Sequence, residues 1–304
     1  HQQVDERDTM FARLARKQGT PQYEDYYGRR PELKRVDDRL RAMTSLAEPG
    51  SRYYKPDLAE TIQSLFDNIS KITVDRDQVV RLTDRIREAN DIPAELLRIT
   101  RESGAVAVGF TSVPASLRYS VEGRTDERYG VIPDSTLTHA LVFLVEMDYQ
   151  HMQQAPKMIV LYESARQYYE AAVIAQTLDA VLVELGYSAE AQYDKHYSAI
   201  MPPLAVMAGL GEIGRNNILI ADKYGARVRI GAVLTDMNLP QSQTIDLGVE
   251  HFCSICKKCA TTCPSKSLNR NEKEEIRGIR LWSTNAERCS AYWRTMGSDC
   301  GICM

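Results

Sequence analysis

The chain has 304 residues, 43% hydrophobic and 26% charged, with a formal net charge of −3. That is the balance of a globular protein with room for two domains and a substantial core. The small negative charge gives no drive toward nucleic acid or an acidic membrane surface.

The chain opens His1-Gln2-Gln3 without an initiator Met, so an upstream segment, with any targeting signal it carried, is expected to have been removed. Residues 1–60 mix Arg, Asp and Tyr with scattered Pro and Gly, and read as an irregular arm wrapped around a core. Helical patterning begins near Leu58, and a further helix is expected over 94–103. Residues 105–110 and 137–147 read as strands; the apolar stretch 140–147 suits a buried strand and is too short for a membrane span. A long amphipathic helix is expected over 164–185, ended by Gly186. Residues 187–201 are polar and loop-like, and 227–235 are strand-like. The charged run 271–280 reads as a solvated helix. Strands well separated by helices predict an α+β fold, a sheet covered by helices.

Gly209-Leu210-Gly211-Glu212-Ile213-Gly214 is a literal G-x-G-x-x-G. A dinucleotide site would need a strand before it and a helix after it. Pro202-Pro203 just upstream leaves only a short apolar stretch before the turn, and no βαβ unit is evident. The glycines fit better as a turn that lets backbone approach a flat or phosphate-bearing cofactor, with tight packing within the chain as the plainer alternative.

All seven cysteines follow residue 252. Cys253-x-x-Cys256-x-x-Cys259-x-x-x-Cys263-Pro264 is the bacterial iron–sulfur run, and Cys289, Cys300 and Cys303 complete the set. By ferredoxin logic Cys253, Cys256 and Cys259 serve one [4Fe–4S] cube, while Cys263 crosses to a second with Cys289, Cys300 and Cys303. Two cubes need eight thiolates, so the first lacks a ligand, expected a few residues past Cys303; on this reading the sequence is C-terminally truncated. Zinc sites prefer two separated cysteine pairs, an odd cysteine count argues against a disulfide framework, and no C-x-x-C-H marks covalent haem.

These segments resemble reductive dehalogenases, the corrinoid and iron–sulfur enzymes of organohalide respiration. The likeness is carried by Asp5-Glu6-Arg7-Asp8-Thr9-Met10-Phe11, Ala208-Gly209-Leu210-Gly211-Glu212-x-Gly214-Arg215-Asn216 and Tyr224-Gly225-x-Arg227-Val228-Arg229. Phe252-Cys253-x-x-Cys256-Lys257-Lys258-Cys259-Ala260 and the Cys289-x10-Cys300 spacing extend it. It implies a nitroreductase-like cobamide-binding domain at 61–240 behind the arm at 1–60, and a ferredoxin-like domain with two [4Fe–4S] clusters at 241–304. The cobamide would lack its lower axial ligand, and the reaction would be R–X + 2e⁻ + H⁺ → R–H + X⁻. Tyr168, with Tyr169 as its neighbouring alternative, would donate the proton. Arg227, with Arg229 as fallback, would support it, and Asp194 stands where the family often has an amide. Gly209, Leu210, Gly211, Gly214, Arg215 and Asn216 would lie along the corrin or its nucleotide tail.

The same resemblance implies a small organohalide substrate, a small membrane-anchor subunit and a quinol-linked, ferredoxin or flavodoxin electron donor. A homodimer is compatible with it. It places the protein peripherally on the outer, periplasmic side of the cytoplasmic membrane, with the cytoplasm as the alternative. The rival readings are an epoxyqueuosine reductase-like enzyme, which would want a basic face for tRNA, and a ferredoxin-like carrier without cobalt chemistry. Of the five histidines none shows metal-ligand spacing; His196, in a polar loop, is a substrate-pocket candidate.

Overall fold

The computed structural model describes residues 3–276 and 279–304. His1, and residues 277 and 278 of the charged run, lie outside that description. The helices are α1 (Met10–Ala15), α2 (Pro21–Arg29), α3 (Pro31–Arg41), α4 (Pro56–Ile69), α5 (Arg76–Glu88) and α6 (Ile92–Glu102). There follow α7 (Tyr149–Met152), α8 (Ile159–Glu184), α9 (Met201–Met207), α10 (Val249–Cys256), α11 (Lys258–Thr262) and α12 (Ala286–Met296). The strands are β1 (Val4–Asp5), β2 (Ala107–Ser112), β3 (Tyr119–Val121), β4 (His139–Glu146) and β5 (Ala189–Gln192). They continue with β6 (Glu212–Ile213), β7 (Leu219–Ile220), β8 (Val228–Thr235), β9 (Glu274–Ile276) and β10 (Ile279–Leu281).

A four-stranded antiparallel sheet in the order β2-β4-β8-β5 organises the molecule. Its central strand β4 is apolar on both faces because both are covered. Leu141, Phe143 and Val145 pack with α5, α6 and α8, while Ala140, Val142 and Leu144 pack with α9 and the β6–β7 hairpin. Strand side chains alternate between faces, so a doubly covered strand reads as an unbroken hydrophobic run. The long helix α8, 26 residues, begins earlier than expected. It is not a one-striped amphipathic helix: one side lies on the sheet and another packs Met158, Leu161 and Ala165 against Ile62 of α4.

Three expectations are corrected. The first sixty residues are largely helical rather than irregular. Pro21 and Pro31 sit in first turns, where a missing N–H costs nothing, and the Thr20 hydroxyl accepts from the Tyr23 amide. Tyr23, Tyr26 and Tyr27 pack ring against ring, and Arg13 pairs with buried Asp37 at 2.6 Å. Within 187–201, taken for a loop, β5 adds an edge to the sheet. In the run 271–280, β9 and β10 form an exposed antiparallel hairpin where a helix was expected; high charge signals solvation, which either element satisfies.

Candidate functional site

A cavity of about 620 Å³ opens where α8, the start of β8, the loop after β5, the N-terminal arm and the cysteine segment meet. Tyr168 lines it and Tyr169 does not. Successive helical side chains point about 100° apart, so only one of the pair can face the cleft. The Arg229 guanidinium lies over the Tyr168 ring, 4.8 Å from its centroid. Its Nη2 donates to the Ser164 hydroxyl and to Asp299 Oδ2, the latter at 3.2 Å, and the Ser164 hydroxyl also donates to Asp299. Burial pushes the Tyr168 hydroxyl above its ordinary value; Arg229 pulls it back, while the nearby carboxylates of Asp194 and Asp299 push it up.

Arg227 does not take the position expected of it. It stands one residue before β8 and bonds Glu146 Oε1 at 3.0 Å and the Met147 carbonyl at 2.7 Å, with its guanidinium over Tyr149. Positions 227 and 229 share a parity, but one two-residue step along an extended chain is about 6.6 Å. That step carries Arg227 past the end of the sheet and leaves Arg229 opposite Tyr168. Asp194 does line the cavity, 3.9 Å from Arg124. His196 does not; it stacks on Tyr193 and bonds Arg128 and the Ala191 carbonyl.

The glycine segment is also re-read. Gly209, at φ +76°, lies against the Gln243 carbonyl, and Gly211, at φ +155°, against the Ile220 carbonyl. A Cβ at either would collide with backbone. Leu210 is core under the sheet. The backbone that these residues approach is therefore the chain's own, and the segment runs from α9 into a hairpin rather than a helix. Of the six residues expected along a cofactor, Asn216 alone lines the large cavity. Gly214, Arg215 and Asn216 line a second cavity of about 430 Å³.

The cysteines divide between these two spaces. Cys253, Cys256 and Cys259 face the smaller, Cys263, Cys289 and Cys300 face the larger, and Cys303 lies at both. All seven thiols are free. Among the described residues no three metal-ligating side chains converge on a single-ion site. Burial pushes Cys289 to about 11 and Cys303 to about 12, with neighbouring thiols adding to it. Burial would also raise Cys263, but the Ser265 hydroxyl and the amides of Ser267, Leu268 and Ser265 outweigh it and bring that thiol below its usual value.

Sequence reasoning missed Ser164 and Asp299, which hold Arg229, and Tyr197 and Arg124 in the cavity wall. Asp299 stands directly before Cys300, the one signal that could have pointed to it.

A sheet-and-helix body with a cysteine-rich segment along a tyrosine-bearing cavity defines a mixed α+β protein. Its relatives are reductive dehalogenases: the chain is 34% identical over 175 residues to a tetrachloroethene reductive dehalogenase of Desulfitobacterium hafniense, covering 54% of this chain and 31% of that protein. It is 31% identical over 181 residues to the tetrachloroethene reductive dehalogenase of Sulfurospirillum multivorans, covering 57% and 36%. The chain thus spans about a third of the length of these curated relatives. In fold it matches the catabolic reductive dehalogenase NpRdhA in complex with 3-bromo-4-hydroxybenzoic acid, with a TM-score of 0.74 and 24% identity over 99% of this chain and 41% of that one. An epoxyqueuosine reductase of Lactococcus garvieae is 33% identical over 89 residues, 29% of this chain. No protein-family model matches.

Proposed function

We propose that this chain is the core of a reductive dehalogenase, an oxidoreductase that replaces a halogen by hydrogen on a small organohalide. The observation that carries the reading is the Tyr168–Arg229 stack in the wall of a cavity that four cysteines also line. The residues fit the groups the resemblance implies. Cys253, Cys256 and Cys259 would hold one [4Fe–4S] cluster and Cys263, Cys289, Cys300 and Cys303 the other, on a ferredoxin-like segment. The seven thiols around the two spaces would supply all four irons of the second cluster and three irons of the first, one thiolate to each. The buried thiols, protonated when free, would give up their protons on binding metal. The larger cavity, on a nitroreductase-like body, would take the cobamide and the substrate together.

When bound, the cobalt and the clusters would supply the electron pair that breaks the carbon–halogen bond. The chain's own residues supply the rest. Tyr168 holds a proton at Oη: a buried phenol stays protonated through the physiological range and is released only against a stabilised tyrosinate. Arg229, stacked over the ring 4.8 Å from its centroid, provides that stabilisation. Ser164 and Asp299 fix the guanidinium, and Ile62, Phe66, Leu161 and Trp293 line the cavity with apolar surface that excludes water. Asp194, 3.9 Å from Arg124, is placed to hold that cation in the cavity wall.

The finer expectations belong to the same proposal: a low-potential electron donor, a small membrane-anchor subunit and a site on the outer face of the cytoplasmic membrane. Among the described residues no helix is long and apolar enough to cross a membrane. The test is anaerobic reconstitution with iron, sulfide and cobamide, followed by halide release from chlorinated and brominated substrates. Tyr168→Phe is expected to abolish release while both kinds of cofactor stay bound. Full activity in that variant, or no corrinoid retained by the parent protein, overturns the reading.

A further inference from the structure

Arg215 was expected along a cofactor tail. It lies instead beside the loop of Cys253, with 1% of its surface exposed. Its backbone amide donates to Cys253 Sγ at 3.4 Å, its Nε to the Cys253 carbonyl at 2.9 Å, and its Nη1 to the carbonyls of Asn269 and Asn271 at 3.1 and 2.8 Å. The guanidinium stacks on Trp282 at 4.7 Å, and Nη2 is buried with no partner. Among the described residues no carboxylate pairs with it. Lys273 packs on the same indole but is neutralised by Glu250 at 2.5 Å. An arginine this deeply buried is expected to have an anionic partner, because an uncompensated charge is costly away from water. The cavity that Arg215 lines is the one faced by Cys253, Cys256 and Cys259.

We propose that Arg215 is the counter-charge of the iron–sulfur cluster held by Cys253, Cys256 and Cys259, and that it raises that cluster's reduction potential. A thiolate-ligated cube is a net anion that becomes more negative on reduction, and its potential follows net charge and hydrogen bonds to sulfur. A fixed cation with an N–H···S contact favours the reduced state on both counts. The inference rests on the iron–sulfur part of the proposed function and is independent of the dehalogenation chemistry. It makes the first cluster easier to reduce than an uncharged side chain at position 215 would.

The experiment is an EPR-monitored redox titration of the anaerobically purified, cluster-loaded protein and of R215K, R215Q and R215M. The first cluster's signal is identified by its loss in Cys256→Ala. R215Q and R215M are expected to lower the first cluster's reduction equilibrium about tenfold, about 59 mV for one electron. R215K should restore most of it, and the second cluster should stay put throughout. An unchanged potential in the neutral variants overturns the proposal, and so does an R215K potential as low as theirs. Loss of the first cluster's iron in both neutral variants would assign Arg215 to scaffolding and overturn it equally. A parent protein that shows no cluster signal would instead sink the iron–sulfur reading itself.

Discussion

Arg229→Gln tests the proton donor through its electrostatics. The guanidinium carbon lies 4.8 Å from the centre of the Tyr168 ring. At an effective dielectric of about 20, opposite unit charges roughly 5 Å apart attract by about 3 kcal/mol. The Tyr168 hydroxyl already sits above its ordinary value because it is buried, and Arg229 is the strongest influence holding it down. Removing the charge should therefore move the phenol's titration further upward. Glutamine is the right replacement because its amide can still donate toward Asp299 and Ser164. Methionine would strand a buried carboxylate, at a cost of about 3–5 kcal/mol. The assay is the ultraviolet difference titration of tyrosinate, read as each background minus its Tyr168→Phe partner, with halide release followed in parallel. A weaker acid transfers its proton more slowly, and a fall of roughly ten- to a hundredfold in release is expected. An unmoved phenol midpoint would show that the stack does no electrostatic work. An unmoved rate with a shifted midpoint would remove Tyr168 from the proton-transfer step.

Cys263→Ala is expected to cost the cluster shared with Cys289 and Cys300 while sparing the one at Cys253, Cys256 and Cys259; EPR and iron assay showing the reverse would refute that partition. Asp179→Asn is expected to stabilise the protein at neutral pH. Burial, aided by Glu190, raises the Asp179 carboxyl from 3.8 to about 6, so the folded state holds its proton more tightly than the unfolded one. Stability relative to the variant should fall as pH climbs from about 4 to about 6, leaving Asn ahead by about 1 kcal/mol at pH 7 once solvent screening is allowed for. Denaturant melts at pH 3.5 and pH 7 check this, and an advantage of equal size at both would exclude the carboxyl as its source.

What was legible in the sequence follows from how each feature is encoded. The cysteines are local in sequence, and the structure divides them between two cavities, Cys253, Cys256 and Cys259 at one and Cys263, Cys289 and Cys300 at the other. The central strand β4 was legible because a sheet buried on both faces leaves an uninterrupted apolar run. The edge strand β5, Ala189–Gln192, was not: it pairs on one side only, with β8, and its four residues carry no such pattern. The helices of the first sixty residues had their prolines and a cap in plain view, but the surrounding charge hid the tyrosine face that packs them.

The Tyr168–Arg229 pair shows where sequence reasoning stops. Tyr168 could be placed to within one residue, and the helical rotation between 168 and 169 then decided which faces the cavity. Arg227 and Arg229 share a strand parity, so no pattern within the segment separates them. The choice is made by where the sheet ends, with Glu146 capturing one arginine and the Ser164–Asp299 pair capturing the other. Ser164 and Asp299 are 135 residues apart in the chain, and only the folded protein joins them. The joint ties the arginine over the phenol to the residue directly before Cys300.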